Sequence, residues 1–585
     1  MLNKNHFLLI GILLLGLFLR LYGNSWDQGF HLHPDERFLT MVGNDVKIPQ
    51  SFSEYINPQT SSFNPANKGH AFYVYGTFPL LINKILAIFL YNNTYDMFNL
   101  QGRTLSGIAD MLVLLLIYKI CVLFEKKLKF HSSIKLYATF FYAIAVLPLQ
   151  LSHFFAVDTF LNLFSWWSLY YAVRFIDYID DIKHIKKFTI LNFKFNIVYL
   201  ASLSGLFFGL ALACKVSTLY FLPFIGSILL VGGMQMIMGA RSKLTKRPAT
   251  WMLALTCIAG FVLFSYLALR LGSPYYFESK SFFSPQISTL FLNNIQTLKS
   301  FDNPLGYFPP AIQWLSKSPL YQLQNIFFFG VGPFYFIFSV IGLGIALLKR
   351  KNFTLFISII WMILFMIYQS VQFAKSMRYL IFIYPLLALF AGVGLVYTLE
   401  GLKKIAPHCI YLFISLCIYL CIVIWPLAFF SIYTKDHSRV AASKWMFESI
   451  PAKSILLSEY WDDALPLPVE NPIQKGYHII EVHIFDLDSK EKWEAINIQL
   501  KAADYYVMSS NRGWGSLTTL PRQFPETTKF YNDMFNGIEN YTLIKEFASY
   551  PSLRYLGIPL DFPDQWAEEA FTVYDHPLVK IFKKK

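Results

Sequence analysis

Charge is scarce in this chain. Only 15% of its 585 residues are Asp, Glu, Lys or Arg, against 55% hydrophobic and 18% aromatic, and the mean hydropathy is +0.43. That balance excludes a set of ordinary soluble domains, because too little polar surface remains to face water; the chain reads as polytopic. Cysteine is scarce as well. All six (Cys121, Cys214, Cys257, Cys409, Cys417 and Cys421) lie in or beside apolar runs, which indicates neither a disulfide framework nor a zinc site. The first apolar segment, Phe7 to Tyr22, has no small-residue cleavage site and carries Arg20 near its end, so it reads as a retained helix. The net charge of +14 is spread over short loops, where topology explains it better than a nucleic-acid partner would.

What the sequence has in quantity is apolar runs of the roughly 17 to 25 residues that cross a hydrocarbon core of about 30 Å. They begin near Phe7, Thr104, Leu136, Thr159, Ile197, Ser217, Thr250, Asn325, Phe353, Tyr379 and Cys409. A cytoplasmic N-terminus makes alternate loops the basic ones. These carry Lys126, Lys127, Lys129 and Lys135; Lys183, Lys186, Lys187 and Lys194; Arg241, Lys243, Lys246 and Arg247; Lys349, Arg350 and Lys351; and Lys403 and Lys404. About eleven crossings then leave the C-terminal end outside. The expectation is a multi-pass protein of the cell membrane, with a helical module over residues 1–430 and an extracytoplasmic α/β domain over 431–585. Residues 23–103 and 271–324 form its large outer loops. The run flanking Lys215 reads either as two spans or as a re-entrant hairpin. Gly76 to Tyr91, interrupted by Pro79, Asn83 and Lys84, reads as a helix lying on the membrane surface. In the tail, strands are expected at Ser454 to Ser458, Tyr505 to Met508 and Tyr541 to Ile544. Two more are expected around an Asp-His-Pro turn in Phe571 to Phe582, with a helix over Arg439 to Glu448.

The chemistry-bearing residues gather at the predicted outer face. His31-Leu-His-Pro-Asp-Glu-Arg37 opens a helix, with Pro34 at its first position and Asp35 and Glu36 in its first turn. A carboxylate so placed also suits a general base. Adjacent acids point in different directions, so one of the two is expected at a reacting centre. His31, His33, Asp35 and Glu36, with His153 and Asp158 from another loop, would alternatively supply ligands to a divalent metal ion, since His-x-His spacing puts both rings on one face of an extended segment. Asp158 either caps its helix or shares an acidic site with Asp35. Lys215, Arg103 and Arg378-Tyr379 lie at outer helix ends, as interface anchors or as phosphate-binding groups. Asp110, inside the second span, stays unassigned. Trp461-Asp462-Asp463 is acidic and aromatic, as sugar sites often are, or simply a loop after a strand.

These residues in this order resemble the GT-C membrane glycosyltransferases, in particular the protein O-mannosyltransferase and aminoarabinose-transferase group of phospholipid-carrier-dependent enzymes. The resemblance rests on Asp35-Glu36 in a large first outer loop, Gly76-x-x-Pro-Leu80, Arg103-Thr-Leu-Ser106, the His153/Asp158 turn, Lys215, Arg378-Tyr379 and Tyr384-Pro385. The tail, with Trp445, Glu459 to Leu465, Asp504-Tyr-Tyr, Ser510-Asn-Arg512 and Asp575-His-Pro577, is similar to a C-terminal domain of some prokaryotic members. The resemblance implies an inverting transferase that takes a sugar from a polyprenyl-phosphate donor to a protein, lipid or glycan acceptor. Asp35, Glu36 and Asp158 would form its catalytic set, and Arg378, Lys215, Arg103 and Tyr379 would hold the donor phosphate. The acids here are preceded by His-Leu-His-Pro and by Ala-Val, so substrate choice does not carry over. A transporter would show paired repeats with broken helices near the midplane, and a non-catalytic glycan-binding membrane protein is the other rival.

Overall fold

Long apolar runs bury their backbone polar groups most cheaply as helices. The computed structural model describes residues 4–92, 94–128, 131–182, 190–239, 247–303, 308–348, 353–469 and 475–585, and it has a helix at each of the eleven expected positions. Fewer of them are plain spans. By length and composition, seven described helices can cross a membrane, or nine if each of two bent pairs is one span. The other two are Lys4–Leu21, which is short, and Val157–Ile182, whose middle is rich in Ser, Trp and Tyr. One bent pair, Ile134–Ala143 with Val146–Ser152, turns by 53°. The other, Tyr321–Gly330 with Pro333–Leu348, turns by 115° at Gly332, whose φ of +87° suits glycine, followed by Pro333, which cannot continue a helix.

Tyr384–Ile405 is the central helix. It packs against Pro333–Leu348 and Ile134–Ala143 through small buried residues such as Ala388, Ala391 and Gly394, the usual way helices approach closely in lipid. Asp110 finds its partner here: Arg20 Nε donates to it at 2.7 Å and the Tyr142 hydroxyl at 2.6 Å, all buried. Phe78–Phe89 is a 12-residue apolar helix, too short to cross. Lys215 joins two separate candidate spans, Lys194–Leu212 and Val216–Met238, rather than the tip of a re-entrant hairpin. Of the loop cations that suggested the sidedness, Lys129, Lys183, Lys186, Lys187, Arg241, Lys243, Lys246, Lys349, Arg350 and Lys351 lie outside the described residues.

After Ser438–Ser449 comes a five-stranded sheet of β1 (Ile455–Glu459), β2 (His478–Val482), β3 (Tyr505–Met508), β4 (Tyr541–Phe547) and β5 (Val579–Lys584), in the order β2-β1-β3-β5-β4. β1 runs parallel to β2 and β3, and β5 antiparallel to β3 and β4. β2 was not expected from sequence: its outer-edge residues His478, Ile479 and Glu481 are exposed and do not alternate cleanly. Phe571 to Asp575 is not a strand either. A short helix, Glu569–Thr572, occupies its start, and Asp575 and His576 are fully buried.

That burial fastens the sheet to the helices. His576 lies between two carboxylates, Asp575 at 2.5 Å and Asp564 at 2.9 Å. Burial alone would lower its pKa, but the two anions raise it to about 10. Asp575 in turn accepts from Gln150 Nε2 and the Tyr433 hydroxyl, both on the helical side. Arg439 pairs with both Asp462 and Asp463, so Trp461-Asp462-Asp463 is a loop after β1 with its acids engaged.

Candidate functional site

Helix Pro34–Asp45 begins as its sequence directs. His33 accepts the Glu36 amide at its N-cap, proline takes the first position, and the two acids follow. Consecutive residues on a helix diverge by about 100°, which sends the acids apart.

Glu36 turns inward and is fully buried. Its carboxylate accepts from Arg103 Nε at 3.1 Å, from a second Arg103 nitrogen, and from the Phe155 amide at 2.9 Å. Arg103 also grips Asp27 through both terminal nitrogens, at 2.9 and 2.7 Å. Burial raises the Asp27 pKa, yet Arg103 holds it down to about 2. Glu36 and Arg103, expected among the catalytic and phosphate-binding groups, instead hold each other inside the protein. Their triad braces the segment after the first helix against the turn that carries Asp158.

Asp35 turns outward. Its carboxylate accepts Arg378 Nη1 at 2.6 Å, and both side chains stay about a quarter exposed. Burial pushes its pKa up, but the Arg378 guanidinium, then His33 and Lys215, hold it well below the usual carboxylate range. It is therefore ionised at any ordinary pH. Beside this pair lies a second one: Lys215 Nζ donates to Asp158 at 3.0 Å. The Tyr379 ring spans the two cations, 6.0 Å from Arg378 and 5.9 Å from Lys215. The result is two carboxylates and two cations at the mouths of several helices, with no net charge.

Two tyrosines complete the cluster, and the sequence did not single them out. Tyr75 faces Asp35, and burial and that anion hold its phenol protonated. It is fixed there by Gly76, whose amide donates to Cys214 O at 2.8 Å; a Cβ on Gly76 would overlap the Ala213 carbonyl. The Gly76-x-x-Pro-Leu80 element therefore clamps Tyr75 onto the turn that bears Lys215. Tyr574 comes from the sheet side, its ring 4.5 Å from that of His33 and within the field of Asp35 and Arg378. Glu568, on the same segment, accepts from the Ser376 hydroxyl at 2.8 Å and the Met377 amide at 2.7 Å, and so holds the start of the turn that presents Arg378. Burial raises the Glu568 pKa to about 7.

The metal alternative fails on geometry. His33 is packed between Phe154 and Tyr574, with Nδ1 spent on its helix cap. His153 directs both ring nitrogens to backbone carbonyls, Leu149 O at 2.9 Å and Tyr22 O at 3.0 Å, and stacks on Tyr433. Among the described residues no group of three His, Cys, Asp or Glu side chains converges as ligands would. The chemistry proposed below runs through no metal.

No family model matches the chain, and comparison by sequence with curated proteins gives no match. Solved structures do match. The oligosaccharyltransferase of Archaeoglobus fulgidus in its apo form is similar at a TM-score of 0.53 and 13% identity, over 99% of this chain and 88% of that one. The archaeal oligosaccharyltransferase AglB from Archaeoglobus fulgidus, in complex with an inhibitory peptide and a dolichol-phosphate, gives 0.51 at 13% identity, over 99% of this chain and 88% of that one. ArnT of Cupriavidus metallidurans bound to undecaprenyl phosphate gives 0.42 at 11% identity, over 98% and 97%. The chain shares its overall fold with the archaeal oligosaccharyltransferase.

Proposed function

We propose that the chain is an inverting glycosyltransferase which moves a sugar from a polyprenyl-phosphate donor to an acceptor hydroxyl at the extracytoplasmic rim of the membrane. The observation that carries this reading is the ion pair between Asp35 and Arg378, set beside Lys215–Asp158 where several helices open. A neutral quartet of this kind is a poor site for a lone ion. It is a good one for a phosphate that arrives with its own charge, because either cation can exchange a carboxylate for it.

The chemistry follows from that exchange. When the donor phosphate takes Arg378, Asp35 loses its strongest partner and its proton affinity rises toward that of a working base. Asp35 then removes the proton of the acceptor hydroxyl as the oxygen attacks the anomeric carbon. The bond from that carbon to the phosphate oxygen breaks on the opposite face, and its electron pair leaves with the lipid phosphate. Arg378 and Lys215 stabilise this growing charge. Tyr75 orients Asp35, and Asp158 holds Lys215 in place. The likeness of fold to AglB, whose structure is in complex with a dolichol-phosphate, supports a lipid-phosphate donor.

The test is to incubate purified protein with radiolabelled polyprenyl-phosphate sugars and candidate acceptors, with and without chelator. Donor consumption that is lost in a folded Asp35→Asn variant supports the transferase. Transfer that survives in that variant, or no consumption of any donor, returns the chain to the transporter and glycan-binding readings.

A further inference from the structure

Between residues 58–77 and residues 273–294 lies a cavity of about 220 Å³, separate from the charged quartet. Tyr75 is the wall the two share: it lines the cavity and faces Asp35. Aromatic rings make up much of the lining. Tyr276 and Phe291 stack at 3.9 Å, and Tyr73 meets Tyr75 edge-on at 6.0 Å.

The polar groups among these rings are fixed and partly unspent. Glu278 receives the Thr289 amide and hydroxyl on one carboxylate oxygen, at 3.0 and 3.2 Å, which leaves the other without a partner among the described residues. Asn294 donates to Ala71 O at 2.7 Å, which immobilises the amide while its own oxygen accepts nothing from the described residues. The Tyr276 hydroxyl is buried near Ser273 but makes no well-formed hydrogen bond. A buried polar group without a partner is costly, and a ligand hydroxyl would relieve that cost. No lysine or arginine lines the cavity, so it does not suit a phosphate. Its volume falls below the roughly 300–1,000 Å³ of pockets for drug-sized ligands, which favours a single ring over a folded peptide.

Rings to cover the C–H faces of a ligand, with fixed acceptors at its edge, match the chemistry of a sugar. We propose that this cavity binds one pyranose and presents it, across Tyr75, to Asp35. The assignment deepens the transferase reading above and rests on it for the identity of the sugar's carrier, either the donor glycosyl group or a glycan acceptor. Binding itself does not depend on transfer.

The experiment uses the full chain in detergent and saturation-transfer difference NMR with a panel of methyl pyranosides. Two variants accompany the wild type: Asn294→Leu, which removes a fixed acceptor, and Leu290→Trp, an exposed helix position whose larger side chain fills the cavity without touching the core. The result expected is saturation of at least one pyranoside by the wild type and by Asp35→Asn, weakened about tenfold or more in both cavity variants. Displacement of that pyranoside by a short-chain polyprenyl-phosphate sugar, but not by the unsugared phosphate, assigns the cavity to the donor; no displacement assigns it to a glycan acceptor. Either supports the proposal. Saturation of no pyranoside, or saturation undiminished by folded Leu290→Trp, overturns it. The two readings fail separately: a sugar-binding cavity in a chain whose Asp35→Asn variant still transfers would keep the cavity and discard the transferase.

Discussion

The divergence of Asp35 and Glu36 allows a sharp comparison between neighbouring residues of like charge. Replacing Glu36 with Gln removes a buried anion but leaves Arg103 its two bonds to Asp27, so no cation is stranded. A glutamine oxygen can still accept from Arg103 or from the Phe155 amide, though its NH2 then faces the guanidinium. The expected cost is about 1–3 kcal/mol, the loss of hydrogen bonds to a charged group. Arg103→Met strands two buried carboxylates and should cost more, about 3–5 kcal/mol. Thermal unfolding of the solubilised chain reads these as a drop of a few degrees and a larger one. Transfer rates, measured per folded molecule, should fall less than tenfold in Glu36→Gln and about 100- to 10,000-fold in Asp35→Asn, the range for losing a general base. A Glu36→Gln protein of unchanged stability that is as inactive as Asp35→Asn would place Glu36 at the reacting centre and refute the assignment.

Three further outcomes follow from the same geometry. Gly76→Ala should displace Tyr75 from the Lys215 turn and destabilise the protein by about 1–3 kcal/mol, the usual cost of overpacking, with transfer reduced in parallel; unchanged melting and activity would show that the clamp is soft. Arg378→Lys keeps a charge but loses the fork, so KM for the donor should rise about tenfold, and kinetics with a soluble short-chain donor test it. His576 has a pKa raised from 6.5 to about 10, so the stability it lends is complete below pH 6.5 and is lost as pH climbs toward 10, roughly 3–5 kcal/mol in all. Melting temperatures across that window should fall in the wild type and change much less in His576→Gln, and equal slopes would contradict the assignment.

The sequence carried the fold further than the site. Helix positions were legible because apolar run length and hydrocarbon thickness are the same constraint. β1, β3 and β4 began where β-branched and aromatic residues cluster. β2, on an edge, and the helix at Glu569–Thr572 were missed, since the burial of Asp575 and His576 is set by distant partners. Within the site, Asp35, Asp158, Lys215, Arg378 and Tyr379 could be named because charge at an apolar helix end is conspicuous. Which of the adjacent acids points outward could not be read: Asp27, the residue that draws Arg103 and Glu36 inward, looks like any loop acid. Tyr574 and Glu568 reach the cluster from 541 and 191 residues away, a closeness that no local pattern encodes.

The handover of Arg378 from Asp35 to the donor phosphate is the centre of the account, and affinity measures it directly. Titrating a short polyprenyl phosphate into the wild type, Asp35→Asn and Arg378→Gln separates the partners. Freed of its competing carboxylate, the Asp35→Asn protein should bind the lipid phosphate more tightly than the wild type while transferring no sugar, and Arg378→Gln should bind it more weakly. Weaker binding in Asp35→Asn, or affinity that ignores Arg378, would contradict the exchange on which the mechanism stands.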